Sequence, residues 1–305
     1  MNAPTHMLPE DLQRTNEYRF CRKHLDTYLN DAIRNNPQWF GMVTAGTELV
    51  NQWLNNTFYE SKQQRLEQLK HLDLEELILQ IMVASAYFQR PQTLVTVTSL
   101  MAHHLGFDDR RDAILTVAEL VAVVCWTGAF TLWKDEPDSS MMFISNLQFS
   151  QDQTEALNRA MYPLPMVCEP EPVTSNFHSP YLTFNDCRIL GKKNGHTGDI
   201  CLDVLNTQMR VPLKLNLQFL STVDEPKPKD WETLEQQQNW DQFKQDSYRV
   251  YHLIAHQTHR FWLDQKVDKR GRIYAQGYHI TTQGSPFKKA MIELANEEYV
   301  EGVPQ

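Results

Sequence analysis

Apolar residues recur at helical spacing from Leu12 to about Phe107. Between Glu17 and Ile33 the positions Tyr18, Cys21, Leu25, Leu29 and Ile33 stand three to four residues apart, which predicts an amphipathic helix. The pattern continues from Leu49 to Leu69. Leu72 to Tyr87 (LDLEELILQIMVASAY) is apolar enough around its whole circumference to predict a buried helix. Pro91 interrupts the spacing and Thr93 to Leu105 resumes it. Asp108-Asp109 then supplies a capping side chain for a further helix, Ala113 to Trp126.

At Thr127-Gly128 the period shortens from the helical to the strand value. Ala129 to Trp133 and Met141 to Phe149 read as strands, with the polar run Lys134 to Ser140 as their turn. This predicts a β-hairpin over 129–149 projecting from a helical body. Gln151 to Met161 returns to helical spacing. Prolines at 163, 165, 170, 172 and 180 impose extended or loop backbone from Pro163 to Pro180. Tyr181 to Leu190 and the Gly191–Gly195 turn are expected to form short strands around a loop. Ile200 to Phe219 has helical spacing, and Pro212 is expected to confine a straight helix to the part after it. Asp224 to Asp230 has the composition of a linker. Trp231 to Trp262 is polar, with Trp240, Phe243, Tyr248, Tyr251, Ile254 and Phe261 as a helical apolar set. Leu263 to Gln305 predicts a strand, turns and a helix from about Phe287 to Asn296. No repeat or low-complexity tract is present. The expected fold class is α+β, mainly α, in three parts: a helical N-terminal domain over 1–222, a short helical segment over 231–262 and a strand-bearing segment over 263–305.

Composition narrows the class. The 305 residues are 41% hydrophobic and 22% charged, the balance of a soluble globular protein. No apolar run approaches the roughly 18 residues of a membrane span, and Met1 to Leu12 lacks the basic-then-apolar order of a signal peptide. Cys21, Cys125, Cys168, Cys187 and Cys201 form no CxxC pair, which favours free thiols in a reducing compartment over a disulfide framework or zinc ribbon. The net charge of −9 opposes phosphate binding by the chain as a whole. Basic residues nevertheless concentrate between Lys244 and Lys289, where nine Lys and Arg stand with three Asp, a local net charge of +6. A solvated face is the alternative reading of that stretch.

The chemistry lies in the run from Phe261 through Asp268-Lys-Arg-Gly-Arg272 to Tyr274. Arginine carries a planar fork of donors that matches phosphate oxygens. Gly271 permits a positive φ or a close approach. Tyr274 is suited to stacking on a base or hydrogen-bonding to nucleic acid. Asp268 repels phosphate, so its expected role is to orient one of the arginines. The plainer reading is a β-turn with a surface arginine pair.

The stretch resembles the DxxGR region of the single-subunit DNA-dependent RNA polymerases of phages and mitochondria. There an aromatic pair precedes Asp-x-Arg-Gly-Arg-x-Tyr, and a Gln-Gly or similar pair follows. Here the aromatic pair is Phe261-Trp262 and the following pair is Gln283-Gly284, with Lys288-Lys289 beyond. Fainter likenesses come earlier in the same order: Pro163 to Val167 with Ser179-Pro-Tyr181, Asp203 to Asn206, and Val211 to Asn216. The hairpin 129–149 stands where family members carry an intercalating hairpin that wedges between DNA strands. Met141, Met142 and Phe143 would suit such a wedge, because apolar side chains insert between bases. An ordinary hairpin packed on a helical domain is the alternative. The resemblance spans roughly Leu72 to Gln305 and is clearest from Phe261 onward.

The resemblance implies that 231–262 is a reduced thumb and 263–305 the start of an antiparallel palm completed by a partner chain. It places Arg270, Arg272 and Tyr274 on template DNA or the RNA–DNA hybrid, with Asp268 and Gly271 structuring the loop. Gln283, Gly284 and Lys288 would lie near the nucleic acid. In the family the two metal-binding aspartates and the fingers motif come well after this region, and the sequence given stops at Gln305. The expectation is a subunit with no catalytic or metal-ligating residue assigned to it, joined to a second subunit that supplies the fingers, the rest of the palm and most ligands of Mg2+. Two-chain members of the family are known in bacteriophage, and the chain resembles their smaller, N-terminal subunit; a fragment of a larger polymerase is the other reading. Further implied partners are template DNA, RNA product and NTPs, with no membrane, in the cytoplasm of an infected bacterial host. The acidic balance and short thumb suggest an accessory DNA-binding factor.

His252, His256 and His259 fall at metal-binding helical spacing. Leu253, however, stands where a protease-like HExxH site needs glutamate, and neither cysteine nor a well-placed carboxylate shares the face. His103-His104 reads as a surface pair. No Walker loop, GxSxG elbow or GxGxxG run occurs. Two other classes stay open: a non-catalytic phage DNA-binding or interaction protein with a polymerase-derived fold, and a metal-dependent hydrolase built on the three histidines.

Overall fold

The structure, a computed structural model, describes residues 7–136, 139–151, 153–154, 157, 163–191, 194–227, 233–297 and 302. It is mixed α and β, mostly helical, with small antiparallel sheets. Packing divides the chain into two units: Lys23–Arg159, and Met1–Arg22 together with Ala160–Gln305. Segments 231–262 and 263–305, distinct by composition, thus share one unit with the N-terminus.

The helix expected from Glu17 to Ile33 is two helices. α1 (Pro9–Phe20) ends at Cys21, whose extended backbone (φ −89°, ψ 122°) breaks the ladder before α2 (Arg22–Asn35). Leu25, Leu29 and Ile33 of α2 are buried, whereas Tyr18 is 62% exposed.

In the unit Lys23–Arg159, α2 is followed by α3 (Pro37–Leu54), α4 (Glu60–Glu67), α5 (Leu74–Ser85), α6 (Leu94–Met101) and α7 (Arg110–Val124). Their starts are set by side chains. Asn36 accepts from the Gln38 and Trp39 N–H groups, and Asp73, Thr93 and Asp109 each accept an N–H three residues on. α5 is buried from Leu77 to Ser85 except at Gln80, as its apolar circumference requires. Gly46 of α3 lets Ile78 and Val124 come within 3.2 and 3.3 Å of the point where a Cβ would sit, so α3, α5 and α7 meet closely there.

Gly128, at φ 81°, turns the chain out of the short 3-10 turn that ends α7. The unit's sheet has the order β1-β3-β2, from β1 (Gln92–Thr93), β2 (Phe130–Lys134) and β3 (Met141–Ser145). The hairpin runs in register from Phe130↔Ser145 to Lys134↔Met141. β3 stops at Ser145, short of the expected Phe149. Of the helix expected over Gln151–Met161, most residues lie outside the described set.

In the other unit, α1 buries a polar face that serves irregular backbone. The Glu17 carboxylate accepts from the Leu182 N–H (3.0 Å), the Thr183 N–H (2.8 Å) and Gln13 Nε2 (2.8 Å). Gln13 Oε1 accepts from the Val167 N–H at 2.8 Å. These bonds satisfy a proline-rich stretch that has no ladder of its own. The strands expected within Tyr181–Leu190 reduce to a single parallel bridge, Ile189↔Val267.

Pro212 acts opposite to expectation: the helix, α8 (Leu202–Met209), precedes it, and β4 (Leu213–Leu215) and the short α9 (Leu217–Thr222) follow. The residue before a proline is driven to extended backbone, so the chain leaves the helix before Pro212 and enters a strand. α10 (Leu234–Gln257) is the long helix, followed by β5 (Gln265–Val267), β6 (Ile273–Ala275), α11 (Pro286–Ala290) and β7 (Ile292–Leu294). The helix expected to reach Asn296 ends early because β7 pairs antiparallel with β4, so tertiary pairing overrides local helical propensity. The core of this unit joins Val167, Leu213, Tyr251, Ile254, Phe261, Leu263, Ile280, Phe287 and Met291.

Candidate nucleic-acid interface

Asp268 to Arg272 form the loop of the β5–β6 hairpin, whose register is Gln265↔Ala275, Lys266↔Tyr274 and Val267↔Ile273. The Asp268 N–H donates to Arg272 O (2.8 Å) and the Gly271 N–H to Asp268 O (2.9 Å). Gly271 sits at φ 82°, where a side chain would be strained. Asp268 organises the loop from within. Its carboxylate accepts from the backbone N–H groups of Arg270 (2.8 Å) and Arg272 (3.0 Å), and from Nε (3.1 Å) and Nη2 (3.0 Å) of Arg270. The Tyr274 hydroxyl stands 3.5 Å from the same carboxylate. The Arg272 N–H bond, offset by partial burial and aided by the Arg270 bonds, lowers the Asp268 pKa to about 2.

The outward side of the loop is cationic. Lys269, Arg270 and Arg272 are exposed. Asp268 occupies one edge of the Arg270 fork, while the Lys269 and Arg272 side chains form no ion pair among the described residues.

The residues expected to add nucleic-acid contacts take different places. Gln283 is spent on the hairpin itself: its Oε1 accepts from the Ala275 N–H (3.0 Å) and its Nε2 donates to Ile273 O (2.9 Å). One amide thereby covers the outer edge of β6. Gly284 is a packing position, since a Cβ there would lie 2.8 Å from Lys288 Cδ. Lys288 points inward and is only 8% exposed. Its Nζ donates to Tyr278 O at 2.5 Å and stands 4.9 and 5.1 Å from the Phe243 and Tyr278 ring centres. Burial lowers the Lys288 pKa, and burial and then Lys288 lower that of neighbouring His279 to about 4. Lys288 is therefore a largely buried cation held by a carbonyl and two aromatic faces.

In the other unit Phe143 is fully buried, edge-on to Phe88 (centroids 5.9 Å) and 5.0 Å from Phe130. It is a core residue of its hairpin and is not placed as a wedge. Met141 (42% exposed) and half-buried Met142 remain nearer the turn. The three histidines do not share a helix, because α10 ends at Gln257, before His259. Among the described residues no three His, Cys, Asp or Glu side chains are grouped to hold a metal ion.

Sequence reasoning missed the support beneath the loop. Segment Asp186–Leu190 lies against β5: the Val267 N–H donates to Arg188 O (2.9 Å) and the Leu190 N–H to Val267 O (2.7 Å). Arg188 forms a fully buried ion pair with Asp264, and Lys266 pairs with Asp186. Asp264 and Lys266 were visible as alternate positions before the motif, but nothing local marks Asp186 or Arg188 as their partners. No family model matches the chain, and no curated protein matches it significantly.

Proposed function

We propose that the chain is a subunit of a DNA-dependent RNA polymerase of the single-subunit phage and mitochondrial type, contacting template DNA and the RNA–DNA hybrid through the Asp268–Arg272 loop. The observation that carries the reading is the division of labour in that loop. Asp268 takes up the inward donors, and Arg272, Lys269 and the free edge of Arg270 are left facing solvent beside Tyr274. A loop with its own carboxylate neutralised internally presents cations without presenting an anion, which suits a sequence-independent grip on phosphates.

In this proposal a second polypeptide supplies the fingers and the remaining palm. Magnesium would supply charge neutralisation at the transferred phosphoryl group. In this reading its ligands lie mainly on the partner, as the resemblance implies, and no step is routed through this chain. The test is binding of a labelled RNA–DNA hybrid over a range of salt concentrations. Arg272→Ala should weaken binding and reduce the slope of log affinity against log salt by about 1, with folding unchanged. Wild-type affinity and slope in that variant would remove the loop from the interface.

A further inference from the structure

We infer that Arg188 and Asp264 are positioning residues that lock the β5–β6 hairpin in a single register, so that Asp268, Arg270 and Arg272 are presented together. This rests on the reading of the loop as a nucleic-acid contact.

The pair lies out of sequence and out of sight of solvent. Arg188 is fully buried and Asp264 is 2% exposed. Asp264 directly precedes β5, four residues before Asp268. Arg188 Nη1 pairs with Asp264 Oδ1 and also lies 3.3 Å from Gln265 O. The surrounding backbone is laddered on both sides of the pair. The Arg188 N–H donates to Asn176 O (2.7 Å), the Val267 N–H to Arg188 O (2.9 Å), and the Gln276 N–H to Asp264 O (2.7 Å). An otherwise irregular segment thus serves as a third strand for the hairpin, through the parallel bridge Ile189↔Val267.

The hairpin needs such a device. β5 and β6 are three residues each, so few ladder hydrogen bonds of their own hold the register. Because the side-chain period is two, a slip of one residue would turn over every side chain in β5. It would also part Arg188 from Asp264 and leave two charges uncompensated in the interior, the costly outcome for a buried pair. The pair is a poor choice for stability alone. Arg188 Nη2 and Asp264 Oδ2 are both buried without a hydrogen-bond partner, so the contact is single rather than bidentate. Burial raises the Asp264 pKa and Arg188 opposes it. Apolar residues of similar volume commonly match or exceed the stability of such a pair. What they do not supply is a penalty against the wrong register.

The test is the full-length double variant R188M/D264L, with R188K and R272A in parallel. Two properties are measured: hybrid affinity across salt, and hydrogen exchange of the Arg270 and Arg272 amides that Asp268 holds. The double variant should melt within about 3 °C of wild type. It should also bind the hybrid about tenfold more weakly, with a salt slope reduced by about 1 to 2, and the two amides should exchange at least about tenfold faster while those of α10 do not change. R188K, which keeps the charge, should restore most of the protection. Wild-type amide protection in a folded double variant overturns the lock. Should the double variant not fold, Asp264→Asn decides, since it keeps the side-chain volume and removes the charge: loop amides exchanging at least about tenfold faster support the lock, and wild-type protection overturns it. The R272A arm separates the two readings. Wild-type binding there removes the nucleic-acid role of the loop, while amide exchange still judges the lock.

Discussion

At the residue scale, Asp268 is the organiser of the loop, and its titration should show it. An exposed aspartate titrates near 3.9, whereas the Arg272 and Arg270 hydrogen bonds lower Asp268 to about 2. A depressed carboxyl contributes stability above its unfolded pKa and loses it as pH falls toward the folded value. The loop should therefore hold its geometry down to about pH 3 and come apart near pH 2. Carboxyl-carbon NMR of Asp268 checks this, and a midpoint near 4 would contradict the bonding described. The sequence assigned Asp268 to orienting an arginine, and the structure pairs it with Arg270. Lys288 shows the limit of such reading. Lysine is so often exposed that nothing in Phe287-Lys288-Lys289 separates the buried cation from its exposed neighbour; only the contacts with Tyr278 and Phe243 do so.

At the element scale, the structure favours local signals where they agree with one another. α7 begins where Asp109 caps it, and the hairpin Phe130–Ser145 follows the change of period at Gly128. Expectations failed where a distant partner decides the outcome. β7 is a strand because β4 lies beside it, and the segment after Pro212 opens as a strand because Leu213 pairs with Phe261 as well as with Leu294. Phe143 was placed at the hairpin tip by sequence, whereas its alternation in β3 turns it into the core with Phe88 and Phe130. Phe143→Ala should destabilise its unit by about 3 to 5 kcal/mol, read by denaturant unfolding. A loss below about 1 kcal/mol would show that the ring is not packed as described. Gln283→Ala removes two hydrogen bonds from the outer edge of β6 and should cost about 1 to 2 kcal/mol, with faster exchange at Ala275. Unchanged exchange there would argue against the edge-covering role.

At the scale of the whole molecule, a chain of net charge −9 exposes a basic loop at Lys269, Arg270 and Arg272. Long-range attraction to duplex DNA should be weak and steeply salt-dependent; salt-resistant binding of the purified chain to plain duplex would contradict this and remove the argument for an accessory factor. No helix among the described residues is long and apolar enough to cross a membrane. Among the described residues β7 pairs only with β4, and Leu294 on it is 60% exposed. A non-catalytic DNA-binding protein would share the loop but not the chemistry, so the decisive measurement is RNA synthesis. It is made on single-stranded DNA with magnesium and NTPs, by the chain alone and co-expressed with the polypeptide encoded beside it. RNA is expected from the pair and none from the chain alone, with Arg272→Ala lowering the yield strongly while the pair still assembles. No RNA from either preparation, with no co-purifying partner, would contradict the polymerase reading and leave an interaction protein in its place.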